Sequence, residues 1–295
     1  MLWAVFTIIA AAAQSARNAM QRQLTPRLGT VGATHVRFLF GFPFALLSLA
    51  GVMIISGTPL PHPPAEFWPW IFLGMLTQIG ATAMMLTAMN SHSFVVTIAY
   101  TKTEPVQVAV FGFLLLGDKL TPLMALAIVI ATAGVVVMSM KPGMMQNGGI
   151  KPTLLGLFSG GLFGLSAIGF RGAILTVENA DNFVLAATFT LAVGLVLQSI
   201  LLSAYLMVRE PGVLRAIFKA WRPATFAGFM GALASQFWFL AFAIATAASV
   251  RTLGLVEVLY AQAISKFVFK QPTTACEALG IALIVIGVGL LVWAY

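Results

Sequence analysis

Two glutamates, Glu104 and Glu257, and one lysine, Lys102, stand well inside long apolar stretches of the chain. Arg37 stands just inside another. A charged side chain near the centre of a bilayer costs about 2.5–3.5 kcal/mol on insertion scales, so each needs a partner, water or a task. A carboxyl group held in an apolar cavity resists ionisation and could carry a coupling proton. Lys102 and Glu104 are two residues apart, about 200° around a helix, so they point to opposite faces and do not neutralise each other. Two readings stay open for the carboxylates. Either they take up a proton or a substrate ammonium group, or each closes an interhelical pair, for instance Glu104 with Arg37. Glu104 has the stronger case, because Pro105 follows it while Val258 follows Glu257.

Pro105 removes a backbone hydrogen bond beside Glu104, and the freed carbonyl can bind substrate or mark a gating hinge. Pro43 does the same in an earlier stretch, where a packing kink is the simpler reading. Gln14, Asn18, Gln78, Tyr100, Gln236, Trp238, Tyr260 and Gln262 add polar or aromatic groups within apolar runs. Each is as readily a packing or lipid contact as a cavity wall. His35, His62 and His92 lack metal-ligand spacing, so no metal site and no cofactor is expected. Gly156, Gly160 and Gly164, with Gly161 and Gly169 alongside, form a ladder of small residues suited to close helix packing. No nucleophile–base pair, metal cluster or phosphate loop points to an enzyme.

Elements that hold such residues must be membrane helices. Of the 295 residues, 60% are hydrophobic and 8% charged. The mean hydropathy is +0.99. So few polar side chains could not coat a soluble domain of this size. Cys276 is the single cysteine, which excludes an internal disulfide framework. Continuous rather than alternating apolar runs argue against a membrane β-barrel. About 20 apolar residues cross the hydrocarbon core as a helix. Ten such runs are expected: 2–21, 31–56, 67–89, 93–117, 120–140, 152–175, 182–207, 223–245, 248–268 and 273–294. Trp3, Trp68, Trp70, Trp221 and Trp293 lie near run ends and read as interfacial anchors. The first run has no basic leader or cleavage site, so it reads as a retained helix.

Between 208 and 222, Arg215, Lys219 and Arg222 alternate with Leu214, Ile217, Phe218 and Trp221 at helical spacing. That pattern predicts a short helix lying on a membrane surface, basic on one face and apolar on the other. The net charge of +8 gathers in connections and suits anionic lipid. Without aromatic interleaving it does not point to nucleic acid.

The two halves repeat. Glu104 and Glu257, Thr121 and Thr274, and Gly134 and Gly287 are each 153 residues apart. Ser15-Ala16 and Ser166-Ala167 correspond at 151, and Gly74 and Gly228 at 154. Gln78 and Gln236 fall on corresponding third and eighth helices, Tyr100 and Tyr260 on the fourth and ninth. Five helices per unit is an odd number, so residues 146–295 would enter the membrane from the side opposite to residues 1–145. The expected fold is an all-α membrane protein of two inverted five-helix repeats, an arrangement that many transporters use to house a substrate near the midplane.

The stretch Thr103-Glu104-Pro105-Val106, with Phe113 to Thr121 reading Phe-Leu-Leu-Leu-Gly-Asp-Lys-Leu-Thr, resembles the fourth-helix motif of the EamA-type drug/metabolite transporter superfamily. Arg37-Phe38 resembles that family's Arg-Phe pair, and Ala278 to Gly287 its last helix. The second half departs from the motif, with Val258 in the proline's place and Gln271-Pro272 replacing the acidic-basic pair. The resemblance implies ten helices around a central cavity and the movement of small organic metabolites, often outward. It implies that the first, third, fourth, sixth, eighth and ninth helices face the cavity.

Charge then bears on orientation. Eleven Lys and Arg residues fall on the side holding the connections after helices one, three, five, seven and nine, against Lys119, Arg171 and Arg251 on the other. The positive-inside rule puts the basic side in the cytoplasm and both termini outside; the family resemblance implies both termini inside. The expected function is secondary active transport of a small organic solute, such as an amino acid, by export across a bacterial inner membrane. Glu104, Lys102, Arg37 and Glu257 would meet substrate or coupling protons, with Tyr100, Gln78, Gln236, Trp238 and Tyr260 around them and Pro105 as hinge. A channel or scaffold is the alternative. The partners are a small-molecule substrate and the bilayer, and the oligomeric state is open.

Overall fold

The computed structural model describes residues 1–91, 101–139, 150–177, 182–267 and 274–295. Every element among them is helical. In chain order these are α1 Leu2–Leu39, α2 Phe42–Ser56, α3 Phe67–Ser91, α4 Glu104–Phe111 with a wider π-turn Gly112–Leu116, and α5 Pro122–Ser139. Then come α6 Ile150–Thr176, α7 Phe183–Arg209, α8 Pro211–Lys219, α9 Trp221–Ile244, α10 Ala247–Leu253, α11 Val256–Phe267 and α12 Ala275–Ala294. Among the described residues six helical stretches are long and apolar enough to cross a membrane, with Leu2–Ser56 taken as one. Glu104–Leu116 and Pro122–Met138 are shorter apolar helices.

The helices gather into two compact units. One holds Met1–Ile79 with Gly169–Ile244, the other Gly80–Ile168 with Ala245–Tyr295. Each unit draws on both halves of the sequence, so the contact units and the expected sequence repeats partition the chain differently.

In the first unit, α1 is longer than its apolar run. The expected connection at 22–30 is helical up to Gly29, whose φ of 68° breaks the helix. Residues 22–28 stay wound because Leu24 and Leu28 are buried beside Val36, Leu206 and Ile217. The Gln21 side-chain amide also donates to the Ala33 carbonyl across the kink, at 2.9 Å. The second expected run divides between the end of α1 and α2, with Pro43 in the first turn of α2, where its missing N–H costs nothing. Gly231 of α9 lets the side chains of Arg37 and Arg17 lie against the helix: a Cβ there would be 3.2 and 3.3 Å from them. Gly169 of α6 meets Gly74 of α3 in the same way: a Cβ on Gly169 would lie 2.5 Å from the Gly74 backbone nitrogen. Trp3, expected at an interface, is buried, whereas Trp68, Trp221 and Trp293 are exposed.

The helix expected within 208–222 is α8. Its apolar side divides: Ile217 is fully buried in the protein, while Phe218 is exposed. Successive residues turn about 100°, so Ile217 falls beside Val213 and Ala220, and Phe218 faces outward next to Arg215. Trp221 opens α9 rather than closing α8.

In the second unit, α5 and α12 pack along their length. A Cβ on Gly134 would lie 2.7 Å from the Gly280 carbonyl oxygen and 2.8 Å from the Ile284 nitrogen. One on Gly287 would lie 2.5 Å from the Ala131 nitrogen and 2.8 Å from the Ala127 oxygen. A shift of 153 residues carries Gly134 to Gly287, Ala127 to Gly280 and Ala131 to Ile284. The two contacts are therefore copies of one another, the pattern a two-fold axis generates. Thr121 and Thr274 also share a role. Each accepts a bond from a backbone N–H three residues on, at 3.2 Å, starting α5 and α12. Thr274 adds a full capping box with Glu277. On α6 the small-residue ladder packs as expected: Gly160 faces the Thr101 carbonyl, and Gly164 faces Val108 and Phe111.

Gly134→Leu forces the α5–α12 backbones apart. It should lower the thermal midpoint of purified protein by an amount equivalent to about 1–3 kcal/mol or more. Gly289→Leu, which points into open space, should leave the midpoint unchanged in the same fluorescence-detected unfolding experiment.

Candidate functional site

Each expected carboxylate occupies the first turn of a helix that follows a break. Glu104 opens α4 after a turn at Lys102-Thr103. Pro105, the expected hinge, sits in the same first turn. A proline here loses no helical bond of its own while excluding continuation of the preceding segment, so the break falls where the sequence places it. Glu257 lies in the first turn of α11, after a turn at Gly254-Leu255. That second break needs no proline. The amides of Leu255, Glu257 and Val258 bond three residues back, to Thr252, Gly254 and Leu255, at 3.0–3.1 Å. A carboxylate in a helix's first turn is favoured by the free N–H groups there, by about 0.3–1 kcal/mol.

Both carboxylates are 8% exposed, and each has a cation from the other half of the sequence. The Arg251 Nε lies 3.0 Å from Glu104 Oε1, and Lys102 pairs with Glu257. Lys102 sits in one break and Arg251 in the last turn of the helix before the other. The pairs therefore cross: each half supplies a carboxylate and a cation, and each carboxylate takes the other half's cation. The four charges sum to zero. Helical spacing correctly separates Lys102 from Glu104; what it leaves out is Arg251. In the sequence Arg251 stands among the end-of-run cations, and Arg37 is the example partner expected for Glu104. Only the position of Arg251 six residues before Glu257, on the far side of a glycine, hinted that it belonged with the carboxylates.

The first unit holds Arg37, Gln78, Gln236 and Trp238. Arg37 is buried, reaches the Ser235 hydroxyl at 3.4 Å and lies over the Phe38 ring with its guanidinium carbon 5.3 Å from the centroid. Gln78 is buried and accepts a bond of 3.0 Å from Gln198, which sequence reasoning passed over as one polar residue in an apolar helix. Gln236 donates to the Thr188 hydroxyl at 2.7 Å. The Trp238 indole N–H donates to Gln14 at 3.1 Å, and its ring stacks near Phe242. Gln78, Gln198, Ser235 and Phe239 line a crevice with Phe170 and Gly194 that is too narrow for a water molecule. So Gln78, Gln236, Trp238 and Arg37 belong to one unit, and Lys102, Glu104 and Glu257 to the other. Tyr260 is half-buried on α11 in the second unit. Tyr100 lies outside the described residues. Among those residues no three His, Cys, Asp or Glu side chains converge on a metal position.

This arrangement is chemically suited to binding rather than to bond-making. It offers paired charges of both signs next to helix breaks, with short polar contacts elsewhere.

A solved crystal structure of a protein aligns with a TM-score of 0.68 over 99% of this chain and 96% of its own, at 15% sequence identity. At that identity the likeness concerns the fold. No curated protein matches the chain. Residues 1–140 match the model of the EamA-like transporter family. That stretch contains Arg37, Lys102, Glu104 and Pro105.

Proposed function

We propose that the protein is a secondary carrier of small organic solutes, built from two inverted five-helix repeats and working by alternating access. The single observation that carries this reading is the crossed pair of carboxylate–cation contacts at two helix breaks 153 residues apart. Interrupted helices with charged groups at their free ends are how transporters of this general design hold polar solutes in a bilayer. The reciprocal glycine contacts of α5 and α12 support the two-fold relation of the halves. The multi-pass apolar helices and the family match over residues 1–140 support a membrane transporter.

The neutral sum of the four charges favours a solute that carries both signs. A zwitterion such as an amino acid can offer its ammonium group to a glutamate and its carboxylate to Arg251 or Lys102. It then replaces protein pairs with equivalent ones, so no charge is left bare in low dielectric. An anion or a cation alone would strand one partner. Export, and proton coupling through Glu104, remain part of the proposal. Arg37, Gln78, Gln236 and Trp238 are proposed as solute contacts of the other unit, and the bacterial inner membrane as the location.

Removing one partner of a buried ion pair leaves an uncompensated charge and costs about 3–5 kcal/mol, whereas replacing both with apolar groups is often neutral. Arg251→Met should therefore lower the thermal midpoint strongly, and Glu104→Leu with Arg251→Met should recover most of it. In proteoliposomes Glu104→Gln should abolish saturable uptake and counterflow of an amino-acid substrate while the protein stays folded. The stable double variant should be equally inactive. Undiminished counterflow in either would remove the pair from transport, and flux without saturation would indicate a pore.

A further inference from the structure

The surface around α8 carries chemistry that solute transport does not use. Leu24, Leu28, Val36, Leu206, Ile217, Ala224 and Ala227 form one buried cluster. Exposed cations flank it in sequence on four helices. Arg22 and Arg27 lie beside Leu24 and Leu28 of α1, and Arg209 lies three residues after Leu206. Arg215 and Lys219 stand either side of Ile217, and Arg222 lies two residues before Ala224. In this neighbourhood Glu210 is the one acidic residue of the 208–222 segment. Two large rings are exposed among these cations. Phe218 is 56% exposed and Trp221 55%. The Arg222 guanidinium lies over the Trp221 ring, its carbon 5.4 Å from the centroid.

The placement follows from how α8 is held. Val213 and Ile217 approach Gly32 of α1, whose missing side chain lets α8 lie close. With that side of α8 spent on the protein, Phe218 and Arg215 face outward about 60° apart around the helix. An outward ring beside an outward guanidinium is the pairing that suits the boundary between acyl chains and headgroups. The ring enters the apolar layer and the cation meets the phosphate. A soluble anion would account for the arginines but leave Phe218 and Trp221 exposed to water.

We propose that this face of the first unit is a docking surface for anionic phospholipid headgroups, with Arg215, Lys219 and Arg222 as the phosphate contacts and Phe218 and Trp221 as the inserted rings. Charge complementarity selects the occupant, because several cations face a single nearby carboxylate.

The test uses purified full-length protein. Retention of phosphatidylglycerol and of phosphatidylcholine is compared by native mass spectrometry, alongside thermal midpoints with each lipid and with inorganic phosphate. Wild-type protein should retain phosphatidylglycerol preferentially and gain thermal stability from it. Each cation near an anionic surface contributes roughly a fivefold factor in affinity. Arg215→Gln with Lys219→Gln and Arg222→Gln should therefore lose roughly a hundredfold, while Lys119→Gln should keep the wild-type preference. Should the triple variant fail to purify, Arg222→Gln alone carries the test with its fivefold loss. Equal retention of the two lipids overturns the proposal, as does a phosphatidylglycerol preference that survives these substitutions. A midpoint shift with inorganic phosphate as large as that with phosphatidylglycerol also overturns it, assigning the surface to free anions.

Discussion

A charge that enters an apolar interior must bring its counterion, and this requirement organises the second unit. Four ionisable side chains lie there, each about nine-tenths buried, in two pairs. Attraction in low dielectric offsets desolvation only when both partners are present and close. The backbone must deliver a carboxylate and a cation from separate helices to the same depth, twice. Interrupted helices achieve this. The turns at Lys102-Thr103 and Gly254-Leu255 let Glu104 and Glu257 begin new helices. There the free N–H groups add to the stabilisation that Arg251 and Lys102 provide.

The crossing of the pairs has a mechanical consequence. Within this quartet each carboxylate is paired by the other half's cation, so the halves are tied to each other beside the two helix breaks. The glycine contacts between α5 and α12 hold the adjoining segments at backbone distance. Rigid packing beside interrupted helices gives a frame in which polar contacts can exchange without the surrounding core being rebuilt. In the proposed transport reading, a solute bearing both charges enters such an exchange without stranding a partner.

Much of this was legible in the residues. The 153-residue spacing pairs Glu104 with Glu257, Thr121 with Thr274, and Gly134 with Gly287. Each pair then proved to share a local role: first turn, helix cap, close packing. Those roles are set by residue type, so sequence alone exposes them. Arg251 was not legible as the partner of Glu104, because its position near the end of an apolar run matches an ordinary topology-setting cation. Nothing in one dimension reveals which charge another helix brings. The break before Glu257 was also hidden, since glycine and a set of short backbone bonds do the work that Pro105 does in the first half. The helix through residues 22–28 was missed for a different reason. Its polar residues obscured Leu24 and Leu28, whose burial against α7 and α8 keeps it wound.

Charge reversal across Lys102 and Glu257 tests the crossed pairing most directly. Thermal midpoints would be measured for Lys102→Glu, for Glu257→Lys and for the two together. Each single reversal sets like charges side by side in an apolar interior and should destabilise the protein strongly. The paired reversal restores opposite charges at the same place and should return the midpoint close to that of the wild type. A double variant as unstable as the sum of its parts would contradict the pairing, and with it the account of how the two halves are joined.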